Sequence, residues 1–306
     1  MEFNSKRICR KLFVIVVILC ALFLVKFELL NGSGHSHLST EEFFKLINAE
    51  YGPARILEKF QMEDGTFLYI VDMIGLDRIR ILHLKSAPPQ NRGMLPLTDQ
   101  DMVNCKDRLV YFEERKFFEL SRDCQANVLS LGLGGGQVNG FLHQNFPKMN
   151  ITVVDISAQM LRMAKKWFDL QSDDHHRVIL DDGARFVEEQ AAKGVKYDAI
   201  ILDACHSAPR TGIELMCPVK VFLQKRVIRS ISQLLTDGGI IVMNAAAATI
   251  GSEDVRSMLR YHFHKFFNYC GHRKSAGFNQ VFYCMHRRPS KNKQINLLAF
   301  VGETLS

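Results

Sequence analysis

From residue 127 onward the apolar positions gather into short, nearly unbroken runs: VLSL (128–131), ITVVD (151–155), RVILDD (177–182), YDAIILD (197–203) and GIIVMNA (239–245). Runs of this length, apolar on both faces, are the pattern of parallel strands covered by helices on either side. Helical spacing fills the gaps between them. Met160, Leu161, Ala164, Trp167 and Phe168 recur at that spacing after Ser157, a predicted N-cap, and Val221, Val227, Ile228, Ile231, Leu234 and Leu235 do so before Asp237-Gly-Gly. The alternation predicts an α/β domain over residues 123–306: a doubly wound, Rossmann-like, mostly parallel sheet. A helix from Glu253 to Phe267 follows, and then two β-like runs, FNYCGHR and QVFYCMHR, predicted as an antiparallel hairpin on the sheet edge. They bring the predicted strands to seven.

The first part of the chain has a different texture. Leu12 to Val25 is unbroken apolar sequence behind Lys6, Arg7, Arg10 and Lys11, and it extends to Leu30 if Lys26 and Glu28 lie at a membrane interface. Residues 1–30 are therefore predicted as an N-terminal hydrophobic helix, either a cleaved signal peptide or an uncleaved signal-anchor; the anchor is preferred because Asn31-Gly-Ser-Gly is an indifferent cleavage site. The positive flank predicts a cytosolic N-terminus and a lumenal remainder, single-pass in the secretory pathway if anchored and secreted if cleaved. Residues 31–122 read as a small module. Ser39-Thr-Glu-Glu42 has capping-box form ahead of Phe43 and Phe44, and 67–74 with 78–85 form a β-hairpin around Gly75-Leu-Asp77.

Composition narrows the classes. At 306 residues, 47% hydrophobic and 23% charged, the chain is neither disordered nor a polytopic membrane protein. The net charge of +7 owes four cations to the N-terminal flank, and the basic stretch from Arg260 to Lys293 lacks the aromatic interleaving of a nucleic-acid site, so no nucleic acid is indicated. The cysteines show no Cys-x-x-Cys pair, and no metal site is expected. Cys270 and Cys284 are each seven residues from Gly277, which predicts direct cross-strand neighbours, oxidised only if the domain is lumenal. Asn31-Gly-Ser and Asn150-Ile-Thr are glycosylation acceptors by pattern, of which Asn31 is the usable one because Asn150 opens a core strand. No particular oligomeric state follows.

Chemistry concentrates where the predicted strands end. VLSL runs into Gly132, Gly134, Gly135 and Gly136, and an apolar helix start follows. Glycines there let the chain turn sharply and let a ligand lie on bare backbone at a helix N-terminus. Gln137 occupies the third glycine position of G-x-G-x-x-G, which argues against NAD or FAD. Asp155 closes the next strand, 19 residues after Gly136, where a carboxylate can accept both ribose hydroxyls of an adenosine ligand. Asp182-Gly183 and Asp203 close the following two. A glycine loop and three acids thus fall on one carboxyl edge, where open α/β sheets bind ligands.

These stretches, LGLGGGQVNGFLHQNFPKMNITVVDIS, MLRMAKKWF, DDGARFV, YDAIILDACHS and LLTDGGIIVMN, resemble class I S-adenosylmethionine-dependent methyltransferases of the spermidine-synthase-like branch. They look most like the C-terminal domain of the methyltransferase-like family that acts on elongation factor 1-alpha. The resemblance implies S-adenosyl-L-methionine as cofactor and a methyl acceptor, protein or small molecule, that it does not identify. It implies that Gly132, Gly134 and Gly136 line the methionine and ribose portion, Asp155 binds the ribose, Ile156 and Met160 flank the adenine, and Asp182 with Gly183 meets its amino group. Asp203 would border the sulfonium, and His206 is the candidate proton acceptor, so Asp203 and His206 are the candidate catalytic residues. Spermidine synthases follow the same Asp with Ser-Ser-Asp-Pro, whereas this chain reads Asp203-Ala-Cys-His206-Ser-Ala-Pro. The missing second acid favours methyl transfer, which needs mainly alignment, over aminopropyl transfer to a polyamine. A catalytically silent membrane-anchored binding module is the remaining alternative.

Overall fold

The computed structural model describes residues 54–63, 67–73, 79–84, 94–96, 124–206, 215–247, 250–274 and 280–287. The apolar segment 12–30, Asn31, the helix read after Ser39 and the turn at 75–77 lie outside them. Among the described residues no helix is long and apolar enough to cross a membrane.

Four strands come first: β1 (Ala54–Gln61), β2 (Phe67–Met73), β3 (Ile79–Leu84) and β4 (Met94–Pro96), paired antiparallel in chain order. The N-terminal module is thus a four-stranded sheet rather than a lone hairpin. β1 escapes a period-two reading because its register against β2 shifts between Ile56 and Glu58. β4 ends on Pro96, which a strand tolerates at a sheet edge.

The main sheet comprises β5 (Asn127–Leu131), β6 (Asn150–Asp155), β7 (His176–Leu180), β8 (Tyr197–Leu202), β9 (Leu215–Cys217), β10 (Leu235–Ala247), β11 (Tyr269–Lys274) and β12 (Gln280–Met285). Its order is β11-β12-β10-β8-β5-β6-β7, with the last five parallel and β11 and β12 antiparallel at one edge. The eighth strand, β9, pairs with the end of β10 and corrects the seven-strand expectation; three residues are too few to show a periodicity. The chain leaves β5 for β6 and β7 on one side and returns to β8 on the other. The order therefore reverses between β5 and β8.

Helices cover both faces: α1 (Gln137–Asn145) and α2 (Ala158–Trp167) on one, and α3 (Gly183–Ala192), α4 (Lys225–Leu234) and α5 (Ser252–Phe263) on the other. Alternate strand residues serve the two layers. Val128, Ile240 and Val242 join the first core, and Leu129, Ile241 and Met243 join the second. In α4, Val227, Ile228, Ile231 and Leu234 form one buried stripe, each such side chain worth about 1.5–3 kcal/mol of burial. Cys270 and Cys284 are register partners with Cα atoms 4.1 Å apart and are joined as a disulfide, the arrangement expected from their equal distance to Gly277.

One of the contacts by which the N-terminal sheet docks on α2 is the Glu58 carboxylate. Glu58 accepts hydrogen bonds from Arg162 at 2.9 Å, Lys166 at 3.0 Å and the Trp167 indole N–H. Burial by itself raises the Glu58 pKa, but the Trp167, Arg162 and Lys166 bonds outweigh it and hold the carboxyl at about 2. A carboxyl whose folded pKa is depressed stabilises the fold above its unfolded pKa and loses that contribution as pH falls toward the folded value. Glu58→Gln should cost about 1–3 kcal/mol at neutral pH. It should also remove the part of acid unfolding that lies between pH about 4.5 and about 2. Urea unfolding of both proteins across that range checks this, and an unaltered acid dependence in the variant would sink the assignment.

Candidate active site

The reversal of strand order opens a crevice at the carboxyl ends of β5 and β8, and the glycine loop fills its floor. Gly132 has φ of 101°, and a Cβ there would lie 2.4 Å from the Asp203 carbonyl oxygen. Both the left-handed backbone and the close approach exclude any side chain. The Gly132 N–H donates to Val154 O at 2.8 Å and the Asp203 N–H to Leu131 O at 2.9 Å, so the ends of three adjacent strands are tied together. Gly136, at φ 79°, is the N-cap of α1 and offers no side-chain cap; the first turn holds no acid. The positive end of α1 therefore faces the loop. Gly132, Gly134, Gly135, Asn139, Ile201 and Asp203 line the cleft above it.

Asp155 ends β6 with its carboxylate turned into this loop. Oδ2 accepts from the Leu133 N–H at 2.7 Å and Oδ1 from the Ser157 N–H at 2.8 Å. Burial raises its pKa and the nearby Glu63 charge raises it further, while the two backbone bonds pull it back. Ser157 caps α2 by accepting from the Met160 N–H at 3.1 Å, as its position after the strand predicts. Its hydroxyl donates to both oxygens of Glu63, at 2.9 and 2.8 Å, and the Gln159 N–H donates to Glu63 at 3.3 Å. A residue of the turn that follows β1 thus stands at the edge of the crevice.

The remaining predicted residues separate into surface, cap and core. Ile156, next to Asp155, is 73% exposed, and Leu180 at the end of β7 is 53% exposed. These are apolar side chains left open at one sheet edge. Met160 is buried in the core between α2 and the sheet. Asp182 caps α3, its Oδ1 accepting from the N–H groups of Ala184 at 2.8 Å and Arg185 at 3.2 Å, and Gly183 opens that helix against Phe222.

On the other side of the loop Asp203 accepts from Asn244 Nδ2 at 3.0 Å. Cys205 and Cys217 form a disulfide beside it, with Cα atoms 4.5 Å apart. The half-buried His206 donates its backbone N–H to Met216 O at 3.0 Å. Asp203, Cys205 and Cys217 bring three possible metal-ligand atoms within 4.8 Å, but the disulfide consumes the two sulfurs as ligands. Glu63, Leu180, Asn244 and the Cys205–Cys217 bond are the site features that sequence reasoning missed. Only Asn244 left a trace, as the polar residue in an apolar strand run.

The family profile described as spermine/spermidine synthase domain matches residues 119–273. The eEF1A lysine and N-terminal methyltransferase homolog of Drosophila melanogaster is 30% identical over 164 residues, which are 53% of this chain and 24% of that protein. The chain spans about a quarter of the length of such curated relatives. Among solved structures, human methyltransferase-like protein 13 in complex with SAH superposes with a TM-score of 0.50 at 23% identity, over 68% of this chain and 91% of that one. A probable spermidine synthase from Corynebacterium glutamicum ATCC 13032 superposes with a TM-score of 0.55 at 14% identity, over 78% and 84%. Those two likenesses show a shared Rossmann-like fold.

The two kinds of glycine in this region should respond oppositely to the same change. Gly132→Ala should cost at least about 1–3 kcal/mol for the left-handed backbone alone, before the overlap with Asp203 is counted. Gly140→Ala, inside α1 with open space around the new Cβ, should stabilise by about 0.5–1 kcal/mol. Chemical denaturation of both variants decides, and equal effects would refute the local account.

Proposed function

Because the chain belongs to the spermine/spermidine synthase domain family, we propose that it is an S-adenosylmethionine-dependent methyltransferase that uses the carboxyl edge of its main sheet. The observation that carries this reading is the Asp155 carboxylate, bonded to the Leu133 N–H of the glycine loop at 2.7 Å. A carboxylate has about four lone-pair sites, so after two backbone bonds each oxygen still accepts one ribose hydroxyl. The cradle fits the group: bare backbone at Gly132, Gly134 and Gly136 for the methionine and ribose portion, and Ile156 with Leu180 as apolar surface for an adenine. Asp182 and Gly183 would meet the adenine amino group.

The cofactor supplies a methyl group on a positively charged sulfur. The chain's own residues have the simpler tasks of aligning an acceptor and favouring that charge. Asp203 is assigned the second task. His206 is assigned the acceptor's proton. Aminopropyl transfer is the weaker reading, because the segment after Asp203 supplies His206 where a polyamine synthase has a further acid.

The acceptor is proposed to be a protein, as the names of the relatives suggest. Elongation factor 1-alpha itself is not carried over. The apolar segment behind four cations and the oxidised state of every described cysteine support a lumenal domain held by a membrane anchor. Protease treatment of sealed microsomes should spare the domain until detergent is added; digestion without detergent would return it to the cytosol and restore cytosolic acceptors.

Calorimetry on the full chain should show binding of S-adenosylmethionine or its demethylated product. Asp155→Ala should weaken that binding by about 1–3 kcal/mol through loss of charge-assisted hydrogen bonds. Equal affinities would take Asp155 out of the site.

A further inference from the structure

Asn244 is the polar residue of the otherwise apolar run Ile240–Ala247 in β10, and the pairing of Met243 with Leu202 sets it beside Asp203. Its Nδ2 donates to Asp203 Oδ1 at 3.0 Å and lies 3.8 Å from the Sγ atoms of both Cys205 and Cys217. The amide is wedged between a carboxylate and a disulfide. That disulfide sits in a small patch that is itself anchored: the Val219 N–H donates to Ala204 O at 2.9 Å, and Cys217 pairs with Ala246. Cys205 Sγ is 3.4 Å from the oxygen that Asn244 serves.

The oxidation state of that sulfur decides what Asp203 meets. As half of a disulfide it carries no proton and leaves the oxygen to Asn244. A dithiol reductant breaks the S–S bond, delivers two electrons and two protons to the sulfurs, and leaves as its own cyclic disulfide. Cys205 then offers a thiol proton to Asp203 Oδ1 in competition with Asn244. Release of the covalent tie also lets the patch part from Asn244.

Resting on the methyltransferase reading above, we propose that the Cys205–Cys217 disulfide and Asn244 are a redox-sensitive positioning device for Asp203. The oxidised form aims the carboxylate at the sulfonium position, and the reduced form does not. Asn244 is a positioning residue acting through Asp203. The site becomes competent only where the disulfide can form, which ties activity to arrival in an oxidising compartment.

The test compares two probes that differ in charge at sulfur: S-adenosylmethionine, a cation there, and S-adenosylhomocysteine, neutral there. Dissociation constants for both are measured on the full chain, oxidised and in a dithiol reductant. The same is done for Asn244→Ala, for Cys205→Ala/Cys217→Ala, and for Cys270→Ala/Cys284→Ala as a control on the other disulfide. Reduction, Asn244→Ala and the Cys205/Cys217 variant should each lower the preference for the cation by about threefold to tenfold. Affinity for the neutral probe, which reports an intact fold, should stay unchanged. The Asn244 and Cys205/Cys217 variants should no longer respond to reductant, and the Cys270/Cys284 variant should respond as the wild type does. If the Cys205/Cys217 variant fails to fold, reduction and Asn244→Ala still decide. Binding of both probes with a preference that neither reduction nor Asn244→Ala alters overturns the proposal, as does a response abolished in the Cys270/Cys284 variant. Failure of the oxidised wild type to bind either probe overturns the cofactor reading instead, and the proposal with it.

Discussion

A Cβ on residue 132 would sit 2.4 Å from the carbonyl oxygen of Asp203. That contact fixes how closely the ends of β5 and β8 approach, and the crevice exists only because they approach bare. From it follow the left-handed turn at Gly132, the entry into α1 through Gly136, and the placement of the Asp155 carboxylate against the Leu133 N–H. Each of these satisfies a backbone group that a strand end would otherwise leave without a partner.

Electrostatics then divide the crevice into two halves. On the β6 side Asp155 and Glu63 are two carboxylates held by backbone and hydroxyl donors, with mutual repulsion raising the Asp155 pKa beyond what burial does. On the β8 side a single carboxylate, Asp203, is braced by a neutral amide and a disulfide. The first half suits many hydrogen bonds to a polar ligand. The second suits one positive charge.

Much of this was legible because it is local. The strands buried on both faces declare themselves as apolar runs, and the glycine loop with Asp155, Asp182 and Asp203 falls in order at their ends. Ser157 announces its cap by position. What the sequence withholds are the partners brought in from far away: Glu63 reaches Ser157 across 94 residues, and Asn244 reaches Asp203 across 41. Such contacts leave no period in the chain. Cys205 and Cys217 meet because β9 folds back on β10, and three residues of strand carry no pattern. Cys270 and Cys284 could be paired because one hairpin sets their register.

Phe60, Met62, Leu68 and Ile70 of the N-terminal strands share one apolar cluster with Val153, Met160 and Tyr283 of the main domain. The two sheets therefore have a common interior and not merely a common boundary. A polypeptide cut between them would leave each fragment with an oily wall facing water, prone to self-association. A change that loosens the small sheet therefore also loosens the apolar packing beneath β6 and α2.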